Sequence, residues 1–102
     1  MRLNLTAAAA EQVIHQLAQD ADNIILGNHA MERMGKRGIF TADVLRILRT
    51  GWVDDEPEYT DSGEWKCKMT LEIKQGRTAG VVTIIMHNDM LFLKTVEWED
   101  IR

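Results

Sequence analysis

The chain has 102 residues, of which 45% are hydrophobic and 27% charged, and its formal net charge is -4. This length fits one domain with one core, and this composition excludes long disorder. A single Cys67 and three scattered histidines exclude an internal disulfide and show no zinc-binding spacing, so no metal or cofactor is predicted. Because polar residues interrupt the apolar ones near the start, no signal peptide or membrane span is predicted, and we expect a cytoplasmic protein.

The first predicted element is a helix over about residues 7 to 20. Thr6 is a suitable N-cap, and alanines and apolar residues near helical spacing follow it. The next stretch, "NIILG", is short and rich in β-branched residues. It is compatible either with a strand or with a buried connection.

Two further helices are predicted before the middle of the chain. Asn28 is the expected cap of the second helix, and Gly38 is a suitable left-handed terminator. Thr41 begins the third helix, which carries a core stripe of Val, Leu and Ile residues and ends at Gly51.

The pattern changes to a period of two after the third helix. In "EWKCKMTLEIK" apolar and polar residues alternate, which predicts a half-buried strand. A weaker strand around Pro57 precedes it, and "VVTIIMH" and "MLFLKTVEW" complete an antiparallel meander. We therefore predict an α+β fold with two or three N-terminal helices on one face of a four-stranded antiparallel sheet.

Charge is segregated along the chain. The sum of Lys and Arg minus Asp and Glu is +3 for residues 28–50, -6 for residues 51–65 and +3 for residues 66–80. A basic surface on an acidic protein is compatible with the binding of an anion such as phosphate, although the net charge opposes general attraction to nucleic acid.

The segment "HAMERMGKRGI" carries the candidate chemistry. His29, Arg33 and Arg37 are spaced by four and share one stripe of the second helix. One interpretation is a solvated helix face with Glu32 and Lys36 as an ion pair. The other is a site for a phosphate, since arginines provide forked donors and an imidazole can transfer a proton near neutral pH.

Three further cations are candidate contacts for a substrate. Lys66 and Lys68 lie on the non-core side of the long strand and extend the basic stripe if the second helix runs beside the sheet. Their alternative role is to oppose aggregation from an exposed strand face. Arg77, in the turn "QGRTAG", is a candidate phosphate contact or a solvated turn residue.

The segment "HAMERMGKRGI", followed by "DVLRILRTG", "AGVVTII" and "KTVEWED", resembles a family of short bacterial domains of unknown function with the pattern His-Ala-x-x-Arg-Met-x-x-Arg-Gly-Ile. The resemblance covers roughly residues 24 to 99. It implies a single domain over 1–102, in which residues 1–22 form a helical extension of a domain over 23–102. The family is similar to the RelE-like and BrnT-like toxins, which pack helices on a small antiparallel sheet.

This resemblance implies a toxin that binds an antitoxin protein and cleaves RNA, free or on the ribosome, without a metal. His29 is then the proton-transfer candidate, and Arg33 and Arg37 are phosphate clamps in the catalytic set. Two alternatives stay open: a non-catalytic interaction module on the same fold, and a toxin that inhibits a protein target. The exposed edge around Pro57 and the doubly apolar strand over residues 81–86 also suggest a homodimer.

Overall fold

A computed structural model describes residues 5–100 of the chain. The described elements are three α-helices, one short 3-10 turn over Ala21–Asn23 and six strands. The helices are α1 (Ala7–Leu17), α2 (Asn28–Arg37) and α3 (Thr41–Thr50). The strands are β1 (Ile24–Leu26), β2 (Trp52–Val53), β3 (Glu58–Tyr59), β4 (Trp65–Lys74), β5 (Arg77–Ile85) and β6 (Leu91–Trp98). The α+β class predicted from the sequence is confirmed.

The helix termini follow local chemistry at most positions. The Thr6 hydroxyl accepts the N–H of Ala9 at 3.1 Å and begins α1. Gly38, with φ of 66°, ends α2 in the left-handed conformation. The predicted cap Asn28 is wrong, because Gly27 is the N-cap of α2. The sheet places Gly27 there, since its N–H donates to the carbonyl of Leu93 at 3.0 Å.

The sheet has six strands in place of the predicted four, and it is mixed in direction. Its order is β1-β6-β5-β4-β2, and β3 also pairs with β4. The weak strand around Pro57 is split into β2 and β3, since proline lacks the N–H that a continuous ladder needs. The stretch "NIILG" forms β1, which pairs with β6 in parallel at the sheet edge. The other pairs are antiparallel, as predicted.

All three helices pack on one face of the sheet. That face carries Met69, Val81 and Val96, which are fully buried against the helices. The opposite face carries no helix in the described part of the chain, and we call it the open face. Its residues on the three long strands include Lys66, Lys68, Val82, Ile84, Phe92 and Glu97.

The first helix is a full part of this core. Its Ala10 and Ile14 are completely buried, and the ring Nε2 of His15 lies 2.6 Å from the carbonyl of Gly51 at the end of α3. A carboxylate oxygen of Glu11 accepts the N–H of Val53 in β2 at 2.9 Å. None of the helices in residues 5–100 has the length and apolar composition needed to cross a membrane.

Candidate functional site

The predicted catalytic residues His29, Arg33 and Arg37 lie along one edge of α2, next to the side formed by Ala30 and Met34, which are buried against the core. His29 is exposed, whereas Arg33 and Arg37 are half-buried. The stripe forms because residues four apart lie one turn above each other on a helix. The structure therefore brings the three motif residues together on one accessible surface, which we call the α2 stripe.

His29 and Arg33 are in contact on the α2 stripe. The Nε of Arg33 donates to the Nε2 of His29 at 3.3 Å, so Nε2 is the acceptor in this contact. Within residues 5–100, no carboxylate pairs with the guanidinium of Arg33 or Arg37. These two guanidinium groups therefore keep most of their donors available for an anion.

The ion pair expected between Glu32 and Lys36 is present beside the stripe. The ammonium of Lys36 lies 3.1 Å from a carboxylate oxygen of Glu32. The hydrogen bond from Lys36 and the charge of Lys36 lower the pKa of Glu32, and the nearby charge of Arg33 acts in the same direction. Because Lys36 neutralises Glu32, this carboxylate does not bind the two arginines.

Arg77 lies beside the C-terminal end of α2. The indole Nε1 of Trp98 donates to the carbonyl of Arg37 at 2.9 Å, and the guanidinium of Arg77 stacks on the same indole with its centre 4.0 Å from the ring centre. The Nε of Arg77 also donates to a carboxylate oxygen of Asp100 at 3.0 Å. Trp98 thus connects Arg77 to the α2 stripe through the tertiary structure.

Lys66 and Lys68 lie on the open face, on the other side of the sheet from α2. Lys66 pairs with Glu58 at 3.6 Å, and Lys68 pairs with Glu99 at 3.0 Å and Glu97 at 3.5 Å. Partial burial alone lowers the pKa of Lys68, but the two carboxylates outweigh this effect and the pKa is raised. The structure does not bring these lysines together with the α2 stripe, because the sheet lies between them.

Three residues next to the stripe were not singled out as site residues in the sequence. Phe40, between α2 and α3, is 65% exposed, and the ammonium of Lys74 lies 4.9 Å from its ring centre. Lys74 also donates to the carbonyl of Gly38 at 3.1 Å, and Arg46 donates to the carbonyl of Ile73 at 3.0 Å.

Together with Arg37 these residues form a surface at the α2–α3 junction, which we call the junction surface: Arg37, Phe40, Arg46 and Lys74. The sequence offers one local signal for it. Phe40 stands directly before Thr41, the first residue of α3, and so belongs to neither apolar helix stripe. A large apolar side chain outside a core stripe indicates exposure. The partners of Phe40 come from a distant strand, so the sequence does not reveal them.

Residues 26–98 match the family described as "Domain of unknown function (DUF4258)". The chain belongs to this family. The expectation that it is a member of a family of domains of unknown function is thereby confirmed. The match contains α2, α3 and the strands β2 to β6, and α1 lies outside it. No curated protein and no solved structure matches the chain.

Two depressions of this DUF4258 domain lie near its acidic segment and away from α2. Their volumes are about 220 Å³ and about 470 Å³, and Glu58 and Lys66 line both. The smaller one also borders the carboxylates of Asp55 and Glu56. A mixed lining with several carboxylates is poorly suited to a phosphate, so these depressions do not compete with the α2 stripe as an anion site.

Proposed function

We propose that this DUF4258 domain is a toxin of the toxin-antitoxin type that cleaves RNA without a metal. The observation that carries the proposal is the α2 stripe, where the imidazole of His29 contacts Arg33 and where neither Arg33 nor Arg37 is neutralised by a carboxylate within residues 5–100. The helices on one face of a small sheet, and the motif residues quoted above, support a relation to the RelE-like and BrnT-like toxins.

The proposed reaction is attack of an RNA 2′-hydroxyl on the adjacent phosphorus. Arg33 and Arg37 bind the phosphate oxygens and stabilise the extra negative charge of the pentacoordinate transition state. When Arg33 turns from His29 to the phosphate, the Nε2 lone pair of His29 becomes free to accept the 2′-hydroxyl proton. The new P–O bond closes a 2′,3′-cyclic phosphate, and the 5′-oxygen leaves with its bonding electron pair and takes a proton from water.

The test is the cleavage of a mixed-sequence RNA by the purified protein in the presence of a chelator, with mapping of the product ends. We expect cyclic phosphate or 3′-phosphate ends from the wild type and a loss of cleavage of at least about 100-fold in His29→Ala and Arg33→Ala. Lys94→Ala is the matched control, since Lys94 is an exposed cation of β6 without a carboxylate partner in the described chain. Cleavage that survives both α2 substitutions would contradict the assignment.

A second candidate function is a non-catalytic interaction module on the same fold. It is favoured by the pairing of Lys66, Lys68 and Arg77 with carboxylates, because these candidate substrate contacts are already neutralised. Folded wild-type protein that cleaves no RNA, even with ribosomes added, would favour this function. If the same protein arrests growth and the arrest is lost in Arg33→Ala, a toxin that inhibits a protein target becomes the better account.

A further inference from the structure

The cations of the described chain divide into those that contact a carboxylate and those that do not. Lys36, Lys66, Lys68 and Arg77 have carboxylate partners. Six Lys and Arg residues within residues 5–100 have no carboxylate partner there. Four of these six lie on the α2 stripe or the junction surface: Arg33, Arg37, Arg46 and Lys74. The remaining two are Arg49, which donates to the carbonyl of Ala18, and Lys94. Uncompensated positive charge is therefore concentrated around α2 and its junction with α3.

Phe40 lies within this positive region and is fixed in position. A carboxylate oxygen of Asp43 accepts the Phe40 N–H at 3.0 Å, which holds the backbone at the start of α3. The ammonium of Lys74 approaches the ring at a cation–π distance. The exposed fraction of Phe40, 65%, is the largest among the exposed large hydrophobic residues of the described chain. The exposed ring thus forms an apolar platform beside the ammonium of Lys74, on backbone that Asp43 holds in place.

The carboxylate of Glu58 in β3 lies far from this platform, whereas Asp54, which accepts from the hydroxyl of Thr70 at 3.2 Å, lies closer along β4. Glu58 and Tyr59 pair with Lys66 and Trp65 at the first end of β4, whereas Lys74 is at its last residue. Trp65 and Lys74 are nine residues apart along β4, which corresponds to about 30 Å. This separation is about three Debye lengths at physiological ionic strength. The acidic end of the molecule therefore does not cancel the attraction of the junction surface for an anion.

We propose that the junction surface is a base-stacking subsite for single-stranded RNA. One base stacks on the exposed ring of Phe40, while Lys74, Arg46 and Arg37 contact the flanking phosphates. Aromatic platforms combined with cations are the arrangement that single-strand binding proteins use, and a stacked base needs no sequence-specific hydrogen bonds. The inference rests on the proposed function for the identity of its ligand. It adds to the proposed catalytic set a binding site centred on Phe40, which lies beyond the end of α2 and eleven residues after His29.

The test uses a fluorescent single-stranded RNA of mixed sequence with 2′-O-methyl groups, so that binding is measured where no 2′-hydroxyl can attack. We expect Phe40→Ala and Phe40→Leu to weaken binding about tenfold in fluorescence anisotropy, and Phe40→Trp to preserve it. Leucine retains the apolar contact without the aromatic face, so it separates stacking from simple burial. Trp52→Ala, which removes another exposed aromatic side chain on β2, is the matched control and is expected to leave the affinity unchanged.

The phosphate contacts are tested through the salt dependence of the same binding. For Lys74→Gln we expect the slope of log Kd against log salt concentration to fall by about 0.7, as for the loss of one phosphate contact to a single strand. Lys94→Gln removes a cation of β6 and is expected to leave the slope unchanged. An equal effect of the two substitutions would show that the junction surface has no special contact with the backbone.

The outcomes separate the subsite from the proposed nuclease. If the 2′-O-methyl RNA binds through Phe40 but unmodified RNA is not cleaved, the subsite stands and the nuclease proposal fails. If RNA is cleaved with unchanged kcat/KM in Phe40→Leu, the nuclease stands and the subsite is wrong. Absence of RNA binding by the wild type, or binding of a polyglutamate peptide that is tighter and equally dependent on Phe40, would overturn the subsite.

Discussion

At the scale of single residues, Cys67 shows how strongly burial changes side-chain chemistry in this domain. Its side chain belongs to the buried core, and burial raises the pKa of the thiol from 9.0 to about 12. Since the thiolate is the reactive form, its fraction at pH 8 falls about 1000-fold through the pKa alone. We expect native protein to react with a thiol reagent far more slowly than protein in urea, measured as the labelling rate at pH 8.

The same pKa shift makes the free energy of unfolding decrease at alkaline pH. The unfolded chain loses the thiol proton at about pH 9 while the folded chain keeps it up to about 12, so this contribution is full below pH 9 and declines as pH rises through that window. Cys67→Ala provides the control, because its unfolding free energy lacks this decline. Equal labelling rates in native and denatured protein would show that the thiol is accessible.

Among the elements, Gly35 within α2 and Gly38, the C-cap of α2, have opposite roles. Gly38 has a φ of 66°, whereas Gly35 is exposed within the helix, and a Cβ would meet no atom within 4 Å at either position. We expect Gly38→Ala to lower the free energy of unfolding by about 1 kcal/mol through backbone strain. Gly35→Ala is expected to raise it by about 0.5–1 kcal/mol through helix propensity. Urea denaturation measures both.

The two variants control each other because both add one methyl group to the same helix. Their opposite signs isolate the backbone conformation from the added apolar surface. If both substitutions change stability in the same direction, the left-handed end of α2 at Gly38 is not the feature that terminates the helix.

At the scale of the whole molecule, α1 completes the core of a family domain whose match begins only at residue 26. Ile14 is fully buried with Val44, Ile47 and Leu48 in one cluster. We expect Ile14→Ala to reduce the free energy of unfolding by about 2–4 kcal/mol, because the cavity lies between α1 and the rest of the core. Urea denaturation of the purified protein is the measurement.

Gln12→Ala is the matched control, since Gln12 is an exposed residue of α1. Its effect is expected to stay within about 0.5 kcal/mol. A small loss in Ile14→Ala, similar to that of the control, would mean that α1 is a dispensable extension and not a part of the cooperative core.

The local and periodic features of the protein can be predicted from its sequence alone. The three helices, the alternation in β4 and the α2 stripe follow from periods of 3.6 and 2, which neighbouring residues define, and the ends at Thr6 and Gly38 follow from local capping. The pairing of Glu32 with Lys36 is equally local. The membership in a family of domains of unknown function also rests on residues that can be read in order, and the match over residues 26–98 confirmed it.

Contacts between distant segments, in contrast, are visible only in the folded structure. The parallel pairing of β1 with β6 joins residues more than 60 positions apart, and no local pattern encodes such a pair. The separation of Lys66 and Lys68 from α2, the stacking of Arg77 on Trp98 and the meeting of Phe40 with Lys74 have the same cause. Each of these arrangements depends on which face and which end of the sheet a helix packs against. Core packing fixes that position only when the whole chain is folded.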